Sequence, residues 1–234
     1  MTVEEIRSTV ADFAAAARKA VDAGFAGVEV HAANGYLLHQ FLAEGTNHRT
    51  DAYGGSVAHR IRFVVEVVQA VADEVGPDRV GVRLAPGLTV NGIEEGDTED
   101  ICPALVTALN DIGSAYLHIV FADPAQPLFQ DIRKAWPRTL IANPVLGWGS
   151  PLPADGGRHA AERLLAAGAD LISPGRPFLA NPDLVERLRT GAPVNPVREE
   201  GLMYTGAART AAPTTRTSRA SRRPWPRRVR TDRL

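Results

Sequence analysis

Apolar residues along this chain recur with two periods that take turns, and that alternation constrains the fold more than any other feature. Stretches with apolar positions three and four apart read as helices, over Ile6–Ala23, Val57–Val75, Asp97 or Thr98 to about Ile112, and Ala154–Ala167. Short apolar runs between them read as strands, at Gly27–His31, Arg79–Leu84, Ala115–Val120, Thr139–Ala142 and Ala169–Ser173. Thr2 followed by Glu5 has the spacing of a capping box, Gly24 and Gly168 close helices, and Asn181 is placed to cap a last helix to Arg189. Strands alternating with helices build a parallel sheet. A (β/α)8 barrel needs eight strands. The chain therefore reads as an α/β protein, an incomplete TIM (β/α)8-type barrel of about five βα units in which N-terminal strands are missing.

The stretch Val28-Glu29-Val30-His31-Ala32-Ala33-Asn34-Gly35-Tyr36 concentrates the chemistry. A strand that stops at His31 and turns into a helix would set His31 and Asn34 about one helical turn apart, with both side chains on one side. A neutral imidazole N–H and an amide N–H aimed at one carbonyl oxygen draw electron density from a conjugated C=C and prepare its far carbon for hydride. Tyr36, with an ordinary phenol pKa of about 10, keeps its proton at pH 7 and has one to give. Helix geometry alone does not bring Tyr36 to that pair. Taken singly, each of these residues is equally at home as a satisfied packing residue. Arg83 is a charge in an otherwise apolar strand and calls for an anion or acid opposite it. Gly175-Arg176 after the fifth strand offers backbone N–H groups and a guanidinium, by itself a weak phosphate signal.

His31-Ala32-Ala33-Asn34-Gly35-Tyr36, with Gln40-Phe41-Leu42, Asn47-His48-Arg49-Thr50-Asp51 and Tyr53-Gly54-Gly55-Ser56, resembles the signature of the Old Yellow Enzyme family of FMN-dependent ene-reductases. The resemblance runs from about Glu4 to Ala207. It implies an FMN-dependent NAD(P)H oxidoreductase that reduces the C=C bond of α,β-unsaturated carbonyl compounds. His31 and Asn34 would bind the substrate oxygen above the flavin, Tyr36 would be the proton donor, and Tyr204 would border the substrate pocket. Arg83, Asn143, Gly175 and Arg176 would hold the cofactor. The chain departs from the family at Asn143-Pro144, where Pro144 has no N–H for a phosphate, at His59, and at Phe121 in place of an expected Glu. Relatives place three strands ahead of the position of Glu4. A truncated product is the favoured explanation, ahead of a half supplied by another chain or a remodelled half-barrel. Self-association through open strand edges, or a complementing N-terminal half, would follow from that. A non-catalytic remnant that binds at most a phosphorylated ligand or a partner strand is the alternative.

Other classes fit poorly. A Schiff-base aldolase needs a strand-end Lys, and the chain has only Lys19 and Lys134, neither on an expected strand. The single Cys102 cannot form an internal disulfide and provides no Cys-based metal site, which suits a reducing cytosol and a packing role. No metal ligands stand out, and no run approaches the ~18 apolar residues of a membrane span. A cytoplasmic protein is expected. With 44% hydrophobic residues and a net charge of −1, residues 1–207 suffice for one core. Residues 208–234 change character: from Arg209 onward there are nine Arg and one acid, Asp232. Such a tail lacks the apolar surface to repay ordering. It carries no repeat and one aromatic, Trp225, so a reading-frame change explains it better than a nucleic-acid partner does.

Overall fold

A computed structural model of the chain describes residues 1–146 and 153–196. Its sheet has five parallel strands in the order β1 (Val28–Ala32), β2 (Val80–Leu84), β3 (Tyr116–Ala122), β4 (Thr139–Pro144) and β5 (Leu171–Ile172). Sequence order equals spatial order, as in one sector of a (β/α) barrel, and β1 and β5 are edges among the described residues. The helices are α1 (Val3–Asp22), α2 (Leu37–Leu42), α3 (Val57–Arg60), α4 (Arg62–Val75), α5 (Thr98–Ile112), α6 (Pro127–Ala135), α7 (Arg158–Ala166), α8 (Gly175–Ala180) and α9 (Leu184–Thr190).

The sheet's two faces differ in chemistry. Val30, Val82, Leu84, Leu117, Ile119, Leu140 and Ala142 point outward into one core with Val64, Val67, Val71, Leu105, Leu109, Ile132 and Leu164 of the helix layer. Burying a side chain of this size contributes about 1.5–3 kcal/mol, so this interlayer core carries the fold. The opposite face is polar across three strands. In register, Glu29 aligns with Gly81 and Tyr116, and His31 aligns with Arg83 and then His118. Parallel strands buried on both sides normally read as continuous apolar runs, so a polar row marks a face with another task.

Helix α1 begins as the spacing predicts: Thr2 Oγ1 accepts the Glu5 N–H at 3.1 Å and the Thr2 N–H donates to Glu5 Oε2 at 2.6 Å. Several expectations are corrected. The single helix over 57–75 is two segments meeting at Ile61, and α6, led by Pro127 in its first turn, was not anticipated. Asn181 caps no helix; its amide donates to Pro177 O and its Oδ1 accepts the Asn195 N–H at 2.7 Å, so α9 starts later, at Leu184. Cys102 is buried in the core. Lys19 lies on α1 and Lys134 on α6, away from any strand. Tyr204, the segment 147–149, the expected boundary at 207 and the basic tail lie outside the described residues. Among the described residues, no helix is long and apolar enough to cross a membrane.

Candidate active site at the ends of β1 and β2

His31 sits one residue before the end of β1, which runs to Ala32 and not to His31. The chain then turns through Asn34 (φ 58°) and Gly35 (φ 79°), both left-handed, before α2 starts at Leu37. Asn tolerates this region, and Gly is needed at 35 because a Cβ there would come within 2.6 Å of Asn91 Cβ. His31 and Asn34 are therefore related by a left-handed turn and not by a helical one. This turn does what a helix would not: it folds Tyr36 back, so that its ring centroid stands 5.2 Å from that of His31. Tyr36 is 58% exposed, which leaves its hydroxyl accessible.

The polar ends of these three residues are uncommitted. No described residue bonds either ring nitrogen of His31, the Tyr36 hydroxyl or Asn34 Nδ2, and Asn34 Oδ1 is buried without a partner. A buried acceptor in that state costs about 1–3 kcal/mol, the kind of cost found where a protein reserves an atom for something else. Partial burial, then the positive charge of Arg83, holds the His31 pKa below its ordinary value. The ring is neutral at pH 7 and keeps an N–H to donate.

Beside His31 in register, Arg83 has its pKa lowered by burial, against the attraction of Glu29. Its Nη1 lies 3.3 Å from both ring nitrogens of His118, so it rests against the imidazole face. Among the described residues no carboxylate forms an ion pair with it. His118 is fixed from both sides: Nδ1 is 3.0 Å from Glu29 Oε2 and Nε2 is 2.7 Å from Ser173 Oγ. Burial alone would raise the Glu29 pKa, yet hydrogen bonds from His118 and Tyr116, with the charges of His118 and Arg83, bring it below the usual carboxylate value. An ionised Glu29 only accepts, so Nδ1 of His118 carries a hydrogen and donates it to the carboxylate, while Nε2 is left to the Ser173 hydroxyl.

The remaining expected site residues follow β4 and β5. Asn143 donates its amide to Ser173 O, bracing the two strand ends and linking Arg83 through His118 and Ser173 to the fifth strand. Gly175 opens α8, with open space where a Cβ would stand. Arg176 Nη2 donates to Leu146 O at 3.1 Å. Phe121, the penultimate residue of β3, has a positive φ of 55° within the register shift between Ile119 and Ala122. The sequence did not single out Glu29, His118, Ser173, His39 or Glu95 as members of one neighbourhood. The alternation of polar residues in Val-Glu-Val-His and Tyr-Leu-His-Ile was the available signal for the first two. No group of three metal-ligating side chains occurs among the described residues.

The imidazole of His31, the phenol of Tyr36 and the guanidinium of Arg83 thus gather at the C-terminal ends of β1 and β2, the end at which (β/α) barrels keep their active sites. Residues 1–195 match the model of the NADH:flavin oxidoreductase / NADH oxidase family, and the chain belongs to it, the Old Yellow Enzyme family of the resemblance above. It is 43% identical over 199 residues to 12-oxophytodienoate reductase 2 of Arabidopsis thaliana, covering 83% of this chain and 52% of that protein. It is 41% identical over 203 residues to 12-oxophytodienoate reductase 1 of Oryza sativa subsp. japonica, covering 83% and 51%. Among solved structures it resembles morphinone reductase in complex with tetrahydroNAD, at TM-score 0.78 and 42% identity over 89% of this chain and 55% of that one. The Old Yellow Enzyme homologue of Zymomonas mobilis superposes at TM-score 0.74 with 35% identity, covering 83% and 55%. The chain spans about half the length of the curated relatives it matches.

Proposed function

We propose that this chain carries the substrate-side half of an FMN-dependent ene-reductase site, in which NAD(P)H is the reductant and an α,β-unsaturated carbonyl compound the substrate. The observation that carries this reading is the His31–Tyr36 pair at the end of β1, a neutral ring and an accessible phenol 5.2 Å apart, with the cation of Arg83 beside it in the next strand. The residues present suit a flavin phosphate and ring system. Arg83 offers positive charge with no carboxylate partner among the described residues, and the space beside Gly175 leaves its backbone approachable.

FMN, when bound, would supply the hydride. His31 and Asn34 would donate N–H groups to the substrate's carbonyl oxygen, and both have donors that no described residue uses. Each such donor, preorganised at the developing negative charge, contributes on the order of 2.7–4 kcal/mol in acyl-transfer oxyanion holes, the nearest measured analogue. Tyr36 would give its proton to the α-carbon. Arg83, Gly175 and Arg176 would hold the cofactor, with Asn143 bracing the strand ends that present them. Tyr204 would border the substrate.

Among the described residues β1 and β5 each pair with one neighbour only, and a complementing N-terminal half, or a second copy of the chain, would pair to their outer edges. Residues 1–207 would form this barrel portion and 208–234 a separate basic tail. The single buried thiol suits the cytosol. Purified protein that is yellow, or becomes so on adding FMN, and that oxidises NADPH when given 2-cyclohexenone bears the proposal out. A colourless protein that takes up no FMN, alone or with a complementing half, overturns it in favour of a non-catalytic remnant.

A further inference from the structure

The turn that carries Asn34 and Tyr36 is held by its own helix and, through it and directly, by a distant segment. At its centre, the Gly35 N–H donates to His39 Nδ1 at 3.0 Å and the Gly35 carbonyl accepts from Gln40 Nε2 at 2.7 Å. His39 is 1% exposed. Because its Nδ1 accepts an N–H, the ring hydrogen resides on Nε2, which donates to Glu95 Oε1 at 2.7 Å. The other oxygen of Glu95 accepts the Gly87 N–H at 2.7 Å and the Thr98 hydroxyl at 2.6 Å. A second grip is independent of the first: Asn91 donates to the carbonyl oxygen of Asn34 at 2.8 Å. The far ends of both grips, Glu95 and Asn91, belong to residues 86–97, which follow β2, the strand of Arg83.

We propose that residues 86–97 are a positioning clamp, in which Asn91 and the Glu95–His39 pair set where Tyr36 stands relative to His31. His39, Glu95 and Asn91 are positioning residues; none needs to touch substrate. The clamp ties the proton-donating turn to the strand that presents Arg83, so that the two parts of the site keep one geometry. The inference rests on the reading of Tyr36 as proton donor for its consequence in turnover, and on the hydrogen bonds alone for its consequence in structure.

Two isosteric variants separate the contacts. In His39→Asn, the side-chain oxygen falls near the place of Nδ1 and still accepts from Gly35. In His39→Gln, the amide nitrogen falls near Nε2 and still donates to Glu95, but Gly35 loses its acceptor. Amide hydrogen exchange of the 34–37 peptide in the full chain, with no flavin added, reads the structural consequence. The expected result is exchange at Gly35 about ten-fold or more faster in His39→Gln, since a buried donor loses its partner, and about three-fold or more faster in His39→Asn, which keeps that acceptor but cuts the tie to Glu95. Asn91 is exposed, so Asn91→Ala keeps the test available if both His39 variants misfold, and it should also speed exchange in this peptide. Parent-like exchange in all folded variants, or in His39→Asn, where the tie to Glu95 is cut, overturns the clamp. In flavin-loaded protein, both His39 variants should lower kcat for enone reduction, with little change in KM or in FMN binding. If Tyr36→Phe reduces enone as fast as the parent, the proton-donor reading fails on its own, while the exchange result still decides the clamp.

Discussion

Replacing Gly81 with Ala puts a specific number on the polar face of the sheet. An ideal Cβ at position 81 would lie 2.0, 2.2 and 2.6 Å from three ring carbons of Tyr116, whose side chain crosses β2 at that glycine to reach Glu29 on β1. Carbon atoms in contact sit at about 3.5–4.0 Å, so the ring must retreat by about 1.5 Å. Overpacking costs about 1–3 kcal/mol, and losing the phenol's hydrogen bond to a charged acceptor costs about 1.5–3 kcal/mol. The reduced freedom of the unfolded chain returns about 0.4–1 kcal/mol. A net loss of about 3 kcal/mol lowers the midpoint of thermal unfolding by about 10 °C for a domain of this size. A second signal should move with it. Burial, with the Glu29 charge next, pushes the Tyr116 phenol up to about 12, and displacement of the ring should bring its ultraviolet titration back toward about 10. In Gly81→Ala/Tyr116→Ala the clash is absent, so the two substitutions should be strongly non-additive. A Gly81→Ala protein that melts within a degree of the parent, with its phenol titration unchanged, refutes the placement of Tyr116 and with it the support of Glu29 and His118.

Other perturbations test other parts of the account. Burial alone would raise the Glu95 pKa, but hydrogen bonds from His39, Thr98 and Gly87 hold it below the ordinary value. Its stabilising contribution is therefore complete above the unfolded carboxylate pKa of about 4.3 and is lost as pH falls through the lower folded value. Glu95→Gln should accordingly flatten the acid limb of a stability–pH profile followed by chemical denaturation, and an unchanged limb would contradict this. Burial pushes the Cys102 thiol well up, so a thiol-reactive disulfide reagent should label it only after unfolding; rapid labelling of native protein would place it elsewhere. Arg60 is 1% exposed, donating to Leu42 O at 2.8 Å and pairing with Asp97. Arg60→Ala should cost about 3–5 kcal/mol in urea unfolding, because the variant strands its partners, whereas a loss under about 1 kcal/mol would mean the pair is dispensable.

The sheet was legible because its strands announce themselves by period and its helices by spacing, and the five expected strands are the five observed. The polar row was legible in part: Glu29 and His31 alternate with Val28 and Val30, so their common face follows from strand geometry alone. The turn after β1 was misread. Asn34-Gly35 is a turn dipeptide, and treating it as helix missed the left-handed pair that brings Tyr36 to His31. Helix α6 was hidden between two strands because it is short and amphipathic with Pro127 at its start. The clamp was illegible for a different reason: His39 and Glu95 are 56 positions apart and Asn34 and Asn91 are 57 apart, and no local pattern encodes which distant side chains meet. The same holds for Glu29 and His118, separated by 89 positions.

Tyr36 as the proton source is the claim on which the functional account depends, and rapid mixing of flavin-loaded protein first with NADPH and then with 2-cyclohexenone measures it most directly. The account predicts that Tyr36→Phe leaves the NADPH half-reaction unchanged and slows flavin reoxidation by the enone about 10²-fold or more, the usual contribution of a positioned general acid. Reoxidation by the enone at the parent rate in Tyr36→Phe would contradict it.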